Sequence, residues 1–133
     1  LLRIIFLDLY NDFENYINHR NNTSTTRKED LTHRFYTLMM DNYREHKEVI
    51  FYADKLHVSS KYLSEVVKET SGKSPKDWII DYSLLEIKEL LKNSSLNIQE
   101  ITIRTKFLNQ SALGRFFKRH TNMSPSEYRE STY

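Results

Sequence analysis

The chain repeats itself at an offset of 50 residues, and this repeat limits the folds that it can adopt. The matched positions carry the same residue or a residue suited to the same role. They are Leu63 and Leu113, Lys68 and Lys118, Gly72 and Asn122, Ser74-Pro75 and Ser124-Pro125, Asp77 and Glu127, and Trp78 and Tyr128. Caps and core positions that stay in step over such a length are typical of a duplicated structural unit.

Each copy has the pattern of two short helices that cross at a tight turn. Ala53 is small enough to let a second helix cross closely, and Val58 is apolar where such a turn needs a buried residue. These positions match Thr102 and Phe107 at an offset of 49, so the second turn is one residue longer than the first.

Residues that start and stop helices set the predicted bounds. Ser59, Ser74 and Asn97 are candidate N-caps, Asn97 forms a capping-box pattern with Glu100, and Gly72 supplies a left-handed stop. The predicted elements are a helix-turn-helix at about 49–72, a linker helix at about 75–92 and a second helix-turn-helix at about 97–121.

The chain before the repeat predicts one or two extra helices. One apolar stripe, with Asp30 as its candidate cap, consists of Leu31, Phe35, Leu38 and Met39. An earlier seam consists of Leu2, Phe6, Leu9, Phe13 and Tyr16. This seam is either a helix packed on its own domain or a dimer contact or connector. We predict an all-α fold in which residues 1–29 are a connector and polar linker and residues 30–133 are the main domain.

Composition excludes several classes of function. Gly and Pro number two each, which favours helices, and the absence of Cys excludes disulfides and thiolate chemistry. The five His residues show no metal-ligand spacing, and no Gly-rich phosphate loop or nucleophile motif is present. We therefore expect no enzyme, no metal and no cofactor. No apolar run approaches the length of a membrane helix, and we expect a cytoplasmic protein.

Positive charge is concentrated in the second copy. Residues 102–129 contain six basic residues and one acidic residue, a net charge of +5, while the whole chain carries only +2. The basic residues are Arg104, Lys106, Arg115, Lys118, Arg119 and Arg129. A cluster of this kind on a helical turn indicates a surface that meets phosphates.

These features resemble the DNA-binding domain of the AraC/XylS family of bacterial transcription regulators, over roughly residues 43–129. The most specific matches are Ile98, Ile101, Phe107, Ser111, Arg115, Phe117-Lys118, Ser124-Pro125 and Tyr128-Arg129. The first copy contributes Tyr52-Ala53, Leu56, Val58-Ser59, Tyr62-Leu63-Ser64, Lys68 and Gly72. The resemblance implies two helix-turn-helix units that bind DNA.

The chain departs from the family's pattern at the turns. The family usually has Gly in both turns, where this chain has His57 and Lys106. A non-Gly residue held at positive φ costs on the order of 1 kcal/mol. The family's small Ala in the second unit is Thr102 here, and its aromatic residue before Gly114 is Leu113. These differences bear on the geometry of the turns more than on function.

In each unit the second helix is expected to lie in the major groove, with its first turns at the base edges. The resemblance implies base contacts by Lys61, Ser64, Glu65, Gln110, Ser111 and Arg115. Their chemistry agrees, since Arg115 can bind guanine, Gln110 adenine and Glu65 a cytosine amine. An alternative for Glu65 is an ion pair with Lys61 or Lys68 on its own helix.

Other polar side chains in these units are better suited to phosphates, which position DNA without specifying its sequence. They are Ser60, Lys68, Ser74, Lys76, Lys118, Arg119 and Ser124. Ser74 and Ser124 stand at helix starts, where free N–H groups can hold a phosphate oxygen. The aromatic residues Phe107, Phe117, Trp78 and Tyr128 are expected in the core rather than stacked on bases.

Two functions stay open on the sequence. The first is sequence-specific binding of double-stranded DNA, with the two units in successive grooves about 34 Å apart on straight DNA. The alternative is a protein-interaction module with degenerate units, which is favoured by the three basic and three acidic residues of 53–72. RNA polymerase and a second copy of the chain, joined through residues 1–17, are further candidate partners. We expect an upstream sensor domain outside this chain.

Overall fold

The computed structural model describes residues 26–132, and all regular secondary structure in this range is helical. The helices are α1 (Arg27–Asn42), α2 (Val49–Lys55), α3 (Ser60–Ser71), α4 (Pro75–Asn93), α5 (Ile98–Arg104), α6 (Gln110–Thr121) and α7 (Pro125–Glu130). They belong to two compact units, whose boundary falls within α4 after Tyr82. The predicted all-α fold with two helix-turn-helix units is confirmed.

The predicted seam of residues 1–17 lies outside the described residues. The same holds for almost all of the predicted connector, residues 1–29, so its division from a main domain at residues 30–133 stays a prediction.

Helix α1 begins at Arg27 because Thr26 and Glu29 cap it reciprocally. The Thr26 hydroxyl accepts a hydrogen bond from the Glu29 N–H (3.2 Å), and the Glu29 carboxylate accepts one from the Thr26 N–H (3.1 Å). Our prediction that Asp30 caps this helix is wrong, since the capping box satisfies two free N–H groups at an earlier position. The helix therefore includes residues that the sequence assigned to the linker.

The first unit is held by contacts of α1 with α2 and α3. The Phe35 ring meets the buried Tyr52 ring of α2 edge-on, with centroids 5.4 Å apart. The Tyr52 hydroxyl donates to the carbonyl oxygen of His46 (2.7 Å), and burial raises the pKa of Tyr52, so this group stays a donor. On the other side, the Thr32 and Thr70 hydroxyls lie 2.6 Å apart and join α1 to α3. Helix α3 is thus fixed to a rigid aromatic core.

Each turn contains a residue in the left-handed region. The sequence left open whether the turns differ locally or keep a positive φ without Gly. His57 and Lys106 have φ values of 59° and 64°, so both turns keep the positive φ. The helices that follow both end at left-handed residues too, Gly72 (φ 82°) and Asn122 (φ 64°), and this prediction is confirmed. The chain therefore keeps the turn geometry without glycine and accepts the conformational strain of a side chain there.

One backbone hydrogen bond closes each turn. The Val58 N–H donates to the Ala53 carbonyl (3.0 Å), and the Phe107 N–H donates to the Thr102 carbonyl (3.2 Å). Ala53 and Thr102 are 1% and 2% exposed, so both lie where the helices cross. The larger Thr102 fits because its hydroxyl donates to the Ile98 carbonyl of its own helix (2.7 Å). The predicted matches of Ala53 with Thr102 and of Val58 with Phe107 therefore hold for the hydrogen bond that closes each turn.

The extra residue of the second turn is Leu108, which separates the turn residue Phe107 from the helix cap Asn109. In the first unit the cap Ser59 follows Val58 directly. Leu108 is 91% exposed, so the longer turn places the additional side chain in solvent and leaves the core contacts of the unit in register.

Two of the four aromatic residues predicted for the core are buried. Trp78 is 6% exposed and Phe117 is fully buried, with its ring 5.4 Å from that of Tyr128. Phe107 and Tyr128 are only partly buried. Phe107 still packs on Phe116, at 5.2 Å between centroids, and no base-stacking role is needed to explain it.

Helices α4 and α7 cap each other's C-terminal ends. The Arg129 guanidinium of α7 donates from Nε to the Leu91 carbonyl (2.9 Å) and from Nη2 to the Leu90 carbonyl (3.3 Å). In return the Lys92 ammonium of α4 donates to the carbonyls of Arg129 and Ser131. Cations are favourable at helix C-termini, where carbonyl groups have no helical partner. This exchange, named here the C-cap clasp, closes the second unit.

Replacing His57 by Gly should stabilise the protein. Glycine adopts a φ of 59° without steric cost, so we expect the free energy of unfolding to rise by roughly 0.5–1 kcal/mol. Urea unfolding followed by circular dichroism at 222 nm measures this change. The control is Glu65→Gly, inside α3, which should lower stability by about 1 kcal/mol. If His57→Gly destabilises as much as Glu65→Gly, the turn is not strained.

Replacing Arg129 by Met should destabilise the second unit. The variant leaves carbonyls of α4 without their charged donor, which should cost about 1–2 kcal/mol in the same unfolding experiment. The control Arg119→Met removes an exposed arginine of α6 and should change stability by less than about 0.5 kcal/mol. Equal effects of the two substitutions would show that the C-cap clasp does not hold the unit together.

Candidate nucleic-acid interface

Helix α3 has one buried side and one solvent side. The buried residues are Leu63, Val66 and Val67, at 0%, 2% and 0% exposure. Of the predicted base-reading residues, Lys61 and Glu65 are exposed on the opposite side and Ser64 is partly exposed. The Ser59 hydroxyl accepts from the Tyr62 N–H (3.0 Å) and fixes the start of the helix. The first turns of α3 therefore present polar side chains to solvent.

Two details of α3 refine the sequence-based expectations. Among residues 26–132, Glu65 forms no ion pair with Lys61 or Lys68, so the alternative that these charges neutralise each other on the helix is not realised. The hydroxyl oxygen of Ser60 is buried and has no hydrogen-bond partner among the described residues. The sequence predicted that the Ser60 side chain points outward, whereas its hydroxyl oxygen is buried. A contact of Ser60 with a phosphate stays a prediction.

Helix α6 repeats this arrangement in the second unit. Leu113 and Phe117 are fully buried, and Phe116 is partly buried. The predicted contact residues Gln110, Ser111, Arg115, Lys118 and Arg119 are all exposed. The structure thus brings the base-reading candidates of α6 together along one exposed side of a single helix, as it does for Lys61 and Glu65 on α3.

Two residues that organise α6 were not predicted from the sequence. Asn109 caps the helix, since its side chain accepts from the Ala112 N–H (2.8 Å). Its match to Ser59, at the offset of 50, could have revealed this role. Gln99 of α5 accepts a hydrogen bond from the Gln110 side chain, with 2.7 Å between Oε1 and Nε2. No local pattern announces this contact, because it joins two helices across the turn.

The positive cluster of the second unit is smaller than the sequence count suggests. The Arg129 guanidinium is occupied by the C-cap clasp and is only partly exposed. The exposed basic side chains of the cluster are Arg104, Lys106, Arg115, Lys118 and Arg119. They belong to α5, the turn and α6, so the charge that can meet a polyanion lies on the helix-turn-helix itself.

A carboxylate already occupies the start of α7. The Ser124 N–H donates to the Glu127 carboxylate (3.3 Å), and the Ser124 hydroxyl accepts from the Glu127 N–H (3.1 Å). Hydrogen bonding by Ser124, aided by the charge of Lys118, lowers the pKa of Glu127. The predicted phosphate contact of Ser124 would therefore have to displace a charged internal partner.

The phosphate candidates of the first unit are arranged differently. The Ser74 hydroxyl accepts from the Asp77 N–H (3.2 Å) at the start of α4, as predicted for an N-cap. Lys68 and Lys76 are exposed. A neighbouring cation, Lys73, is engaged with the Asp81 carboxylate at 2.8 Å. The two exposed lysines are thus the side chains of this region best placed for a phosphate.

Two kinds of site are missing from the described part of the chain. Within residues 26–132, no three His, Cys, Asp or Glu side chains are grouped so as to hold a metal ion. In the same range no helix combines the length and the apolar character needed to cross a membrane.

Comparison with known proteins identifies the duplicated unit. A family model described as a helix-turn-helix domain matches residues 52–131. The chain is similar to an uncharacterised helix-turn-helix transcriptional regulator, YobQ of Bacillus subtilis, with 32% identity over 77 residues. That match covers 58% of this chain and 32% of the relative. The Msm operon regulatory protein of Streptococcus mutans is 31% identical over 78 residues, which is 59% of this chain and 28% of that protein.

Solved structures show the same fold. The C-terminal domain of AraT, a response regulator from Geobacillus stearothermophilus, superimposes with a TM-score of 0.68 at 25% identity, over 81% of this chain and 93% of that one. The DNA-binding domain of AdpA, solved in complex with a target DNA, superimposes with a TM-score of 0.63 at 23% identity, over 74% of this chain and 88% of that one.

The chain spans about a third of the length of the curated relatives that it matches. The family model begins within α2 and covers the rest of the first helix-turn-helix and all of the second, including both turns and helices α3 and α6. On this evidence the chain belongs to the AraC/XylS family of helix-turn-helix transcription regulators.

Proposed function

We propose that this chain binds double-stranded DNA in a sequence-specific manner to regulate transcription, with α3 and α6 each entering a major groove. One observation carries the proposal. In both units the second helix follows a turn of the same geometry, is anchored by a fully buried leucine, Leu63 or Leu113, and carries exposed side chains that are candidates for reading bases. A major groove admits a helix of this kind with its first turns toward the base edges.

The exposed side chains supply distinct chemistry for bases. Arg115 can donate two hydrogen bonds to guanine, Gln110 can pair with adenine, and Glu65 can accept from a cytosine amine. Lys61 can also donate to guanine, and the hydroxyls of Ser64 and Ser111 suit several bases. Because Glu65 is exposed and forms no ion pair on α3, its carboxylate is available for a cytosine.

A second set of side chains would hold the DNA backbone. Lys118 and Arg119 follow the base-reading candidates on α6, and Lys68 is the match of Lys118 on α3. Lys76 is exposed in the first turn of α4. Phosphate contacts position a protein on DNA and make its affinity depend on salt. The helix start at Ser74 can also contact a phosphate. At Ser124 a phosphate can bind only if it displaces the Glu127 carboxylate from the Ser124 N–H. Ser60 is left with its backbone N–H alone.

Relatives support this function. The names of the Bacillus and Streptococcus proteins describe regulators, and the AdpA domain was solved on a target DNA. Two reading helices on one site would enter successive grooves about 34 Å apart on straight DNA, and another spacing would require bending at roughly a few kcal/mol. Contact with RNA polymerase, dimerisation through residues 1–17 and an upstream sensor domain belong to the same proposal. A cytoplasmic location would follow, since bacterial DNA lies there.

The second candidate function is a protein-interaction module. Its support is the first unit, where residues 53–72 carry no net charge and Ile50 and Tyr62 are 59% and 44% exposed. A gel-shift with genomic fragments at low salt separates the two functions. DNA binding predicts a shifted fragment, whereas an interaction module predicts that every fragment runs free.

Replacing Arg115 by Ala should relax discrimination at one base pair. The lost guanine contact is worth about 1–3 kcal/mol, so the preference at that position should fall roughly 5- to 150-fold. Sites selected from a random duplex pool by the parent provide the DNA, and fluorescence anisotropy measures the affinities.

The matched control is Arg119→Ala, which should weaken binding to all sequences alike. It should also reduce the slope of log affinity against log salt by about 0.9, as expected for one lost phosphate contact. The assignment of Arg115 is wrong if Arg115→Ala binds the selected site and random DNA just as the parent does.

A further inference from the structure

The amide pair of Gln99 and Gln110 connects the two helices of the second unit. Gln110 is the first residue of α6 and Gln99 the second residue of α5, and both are exposed. The Gln110 Nε2 group donates to the Gln99 Oε1 atom at 2.7 Å. A short bond between two exposed amides is unusual as a source of stability, because water satisfies such groups equally well.

The fold does not need this pair. The corresponding positions of the first unit are Ile50, at an offset of 49, and Ser60, at an offset of 50. Ile50 is 59% exposed and the Ser60 hydroxyl has no partner among the described residues, so no equivalent bond forms there. The first unit nevertheless closes the same turn, with His57 at a φ of 59°. The duplication therefore provides an internal control that separates folding from the amide pair.

We propose that Gln99 is a positioning residue that sets Gln110 to read adenine. This assignment rests on the proposed DNA-binding function. A carboxamide has two N–H donors and one carbonyl acceptor. With one N–H of Gln110 held by Gln99, the other N–H and the carbonyl oxygen are left as a donor–acceptor pair. The major-groove edge of adenine offers the complementary acceptor N7 and donor N6, which no other base presents in this order.

In the structure Gln99 presents its carbonyl oxygen to Gln110, and we infer that this contact determines which end of the Gln110 amide faces DNA. An acceptor at position 99 attracts the NH2 group of Gln110 and leaves the carbonyl free for the adenine amine. A donor at position 99 attracts the carbonyl and reverses the order. Removing the partner leaves Gln110 free to rotate, and a side chain that must be ordered on binding discriminates less well. Adenine preference should thus follow the hydrogen-bonding character of residue 99, even though residue 99 does not touch the base.

The test uses the whole chain and a duplex selected by it from a random pool. Each adenine of the selected site is replaced in turn by 7-deazaadenine, which lacks the N7 acceptor, and the loss of affinity is measured by fluorescence anisotropy. For the parent we expect one adenine at which this loss is about tenfold. For Gln110→Ala the loss at that adenine should be twofold or less, because the reading group is gone.

Variants of Gln99 distinguish positioning from structure. Gln99→Met, which keeps length and helix propensity, should reduce the loss at that adenine to about threefold. Gln99→Glu supplies only an acceptor and should restore the loss at that adenine to about tenfold. Its overall affinity for DNA should be lower, because the new carboxylate is repelled by phosphates. In the Gln110→Ala background, Gln99→Met should have no further effect. The urea midpoint of Gln99→Met should equal that of the parent. If Gln99 served only to stabilise the fold, its replacement would lower the midpoint.

Each contrary result has a separate meaning. If Gln99→Met keeps the tenfold loss of the parent, the positioning role is overturned. If no adenine depends on Gln110, the adenine assignment is overturned while DNA binding stands. If the parent selects no duplex at all, the proposed DNA-binding function itself fails, and this inference fails with it.

Discussion

The backbone hydrogen bond that closes each helix-turn-helix turn determines which side of the second helix is buried and which side is exposed. In the two units it runs from Val58 to Ala53 and from Phe107 to Thr102, over a residue in the left-handed region. At the acceptor position the first helix carries a buried small residue, Ala53, or a buried threonine whose hydroxyl bonds to its own helix, Thr102. Once the hydrogen bond forms, the register of the second helix is fixed, and with it the side that is buried and the side that meets solvent.

Much of this arrangement could be predicted from the sequence because its determinants are local. Gly72 and Asn122 stop helices through their own backbone preference, and the capping box of Asn97 needs only residues three apart. The duplication added a check for the helix stops Gly72 and Asn122, which occupy matched positions, although the cap Asn109, which matches Ser59, was not predicted. The apolar spacing of α3 and α6 then determined which residues are exposed.

The rest depends on contacts that local patterns do not encode. The charge of Arg129 was counted with a phosphate-binding cluster, but carbonyls of α4 that lie far away in the sequence engage it. Ser60 was expected outside because of its position on the helix, yet its hydroxyl oxygen is buried. Asp30 was taken for a cap because it precedes the apolar stripe, although Thr26 and Glu29 form the more complete pair. The contact of Gln99 with Gln110 joins α5 to α6, and no local sequence pattern predicts it.

The two units differ in charge while sharing a fold. Exposed cations gather on α5, the turn and α6, whereas the first unit is close to neutral. Under the proposed function, the second unit would supply most of the salt-dependent attraction to phosphates, and α3 would add discrimination through side chains such as Lys61 and Glu65. Such a division needs both reading helices on one duplex, which is the central claim.

Missing-nucleoside interference on a selected duplex tests this claim most directly, because it reports every base whose removal weakens binding. The account predicts two groups of bases, with centres about 10 base pairs apart on straight DNA and closer or wider only if the DNA bends. In a Lys61→Ala, Glu65→Ala double variant, removal of bases in one group should have a smaller effect on binding than in the parent. In Arg115→Ala the same should hold for the other group. A single group of bases, sensitive to variants of only one unit, would contradict the account.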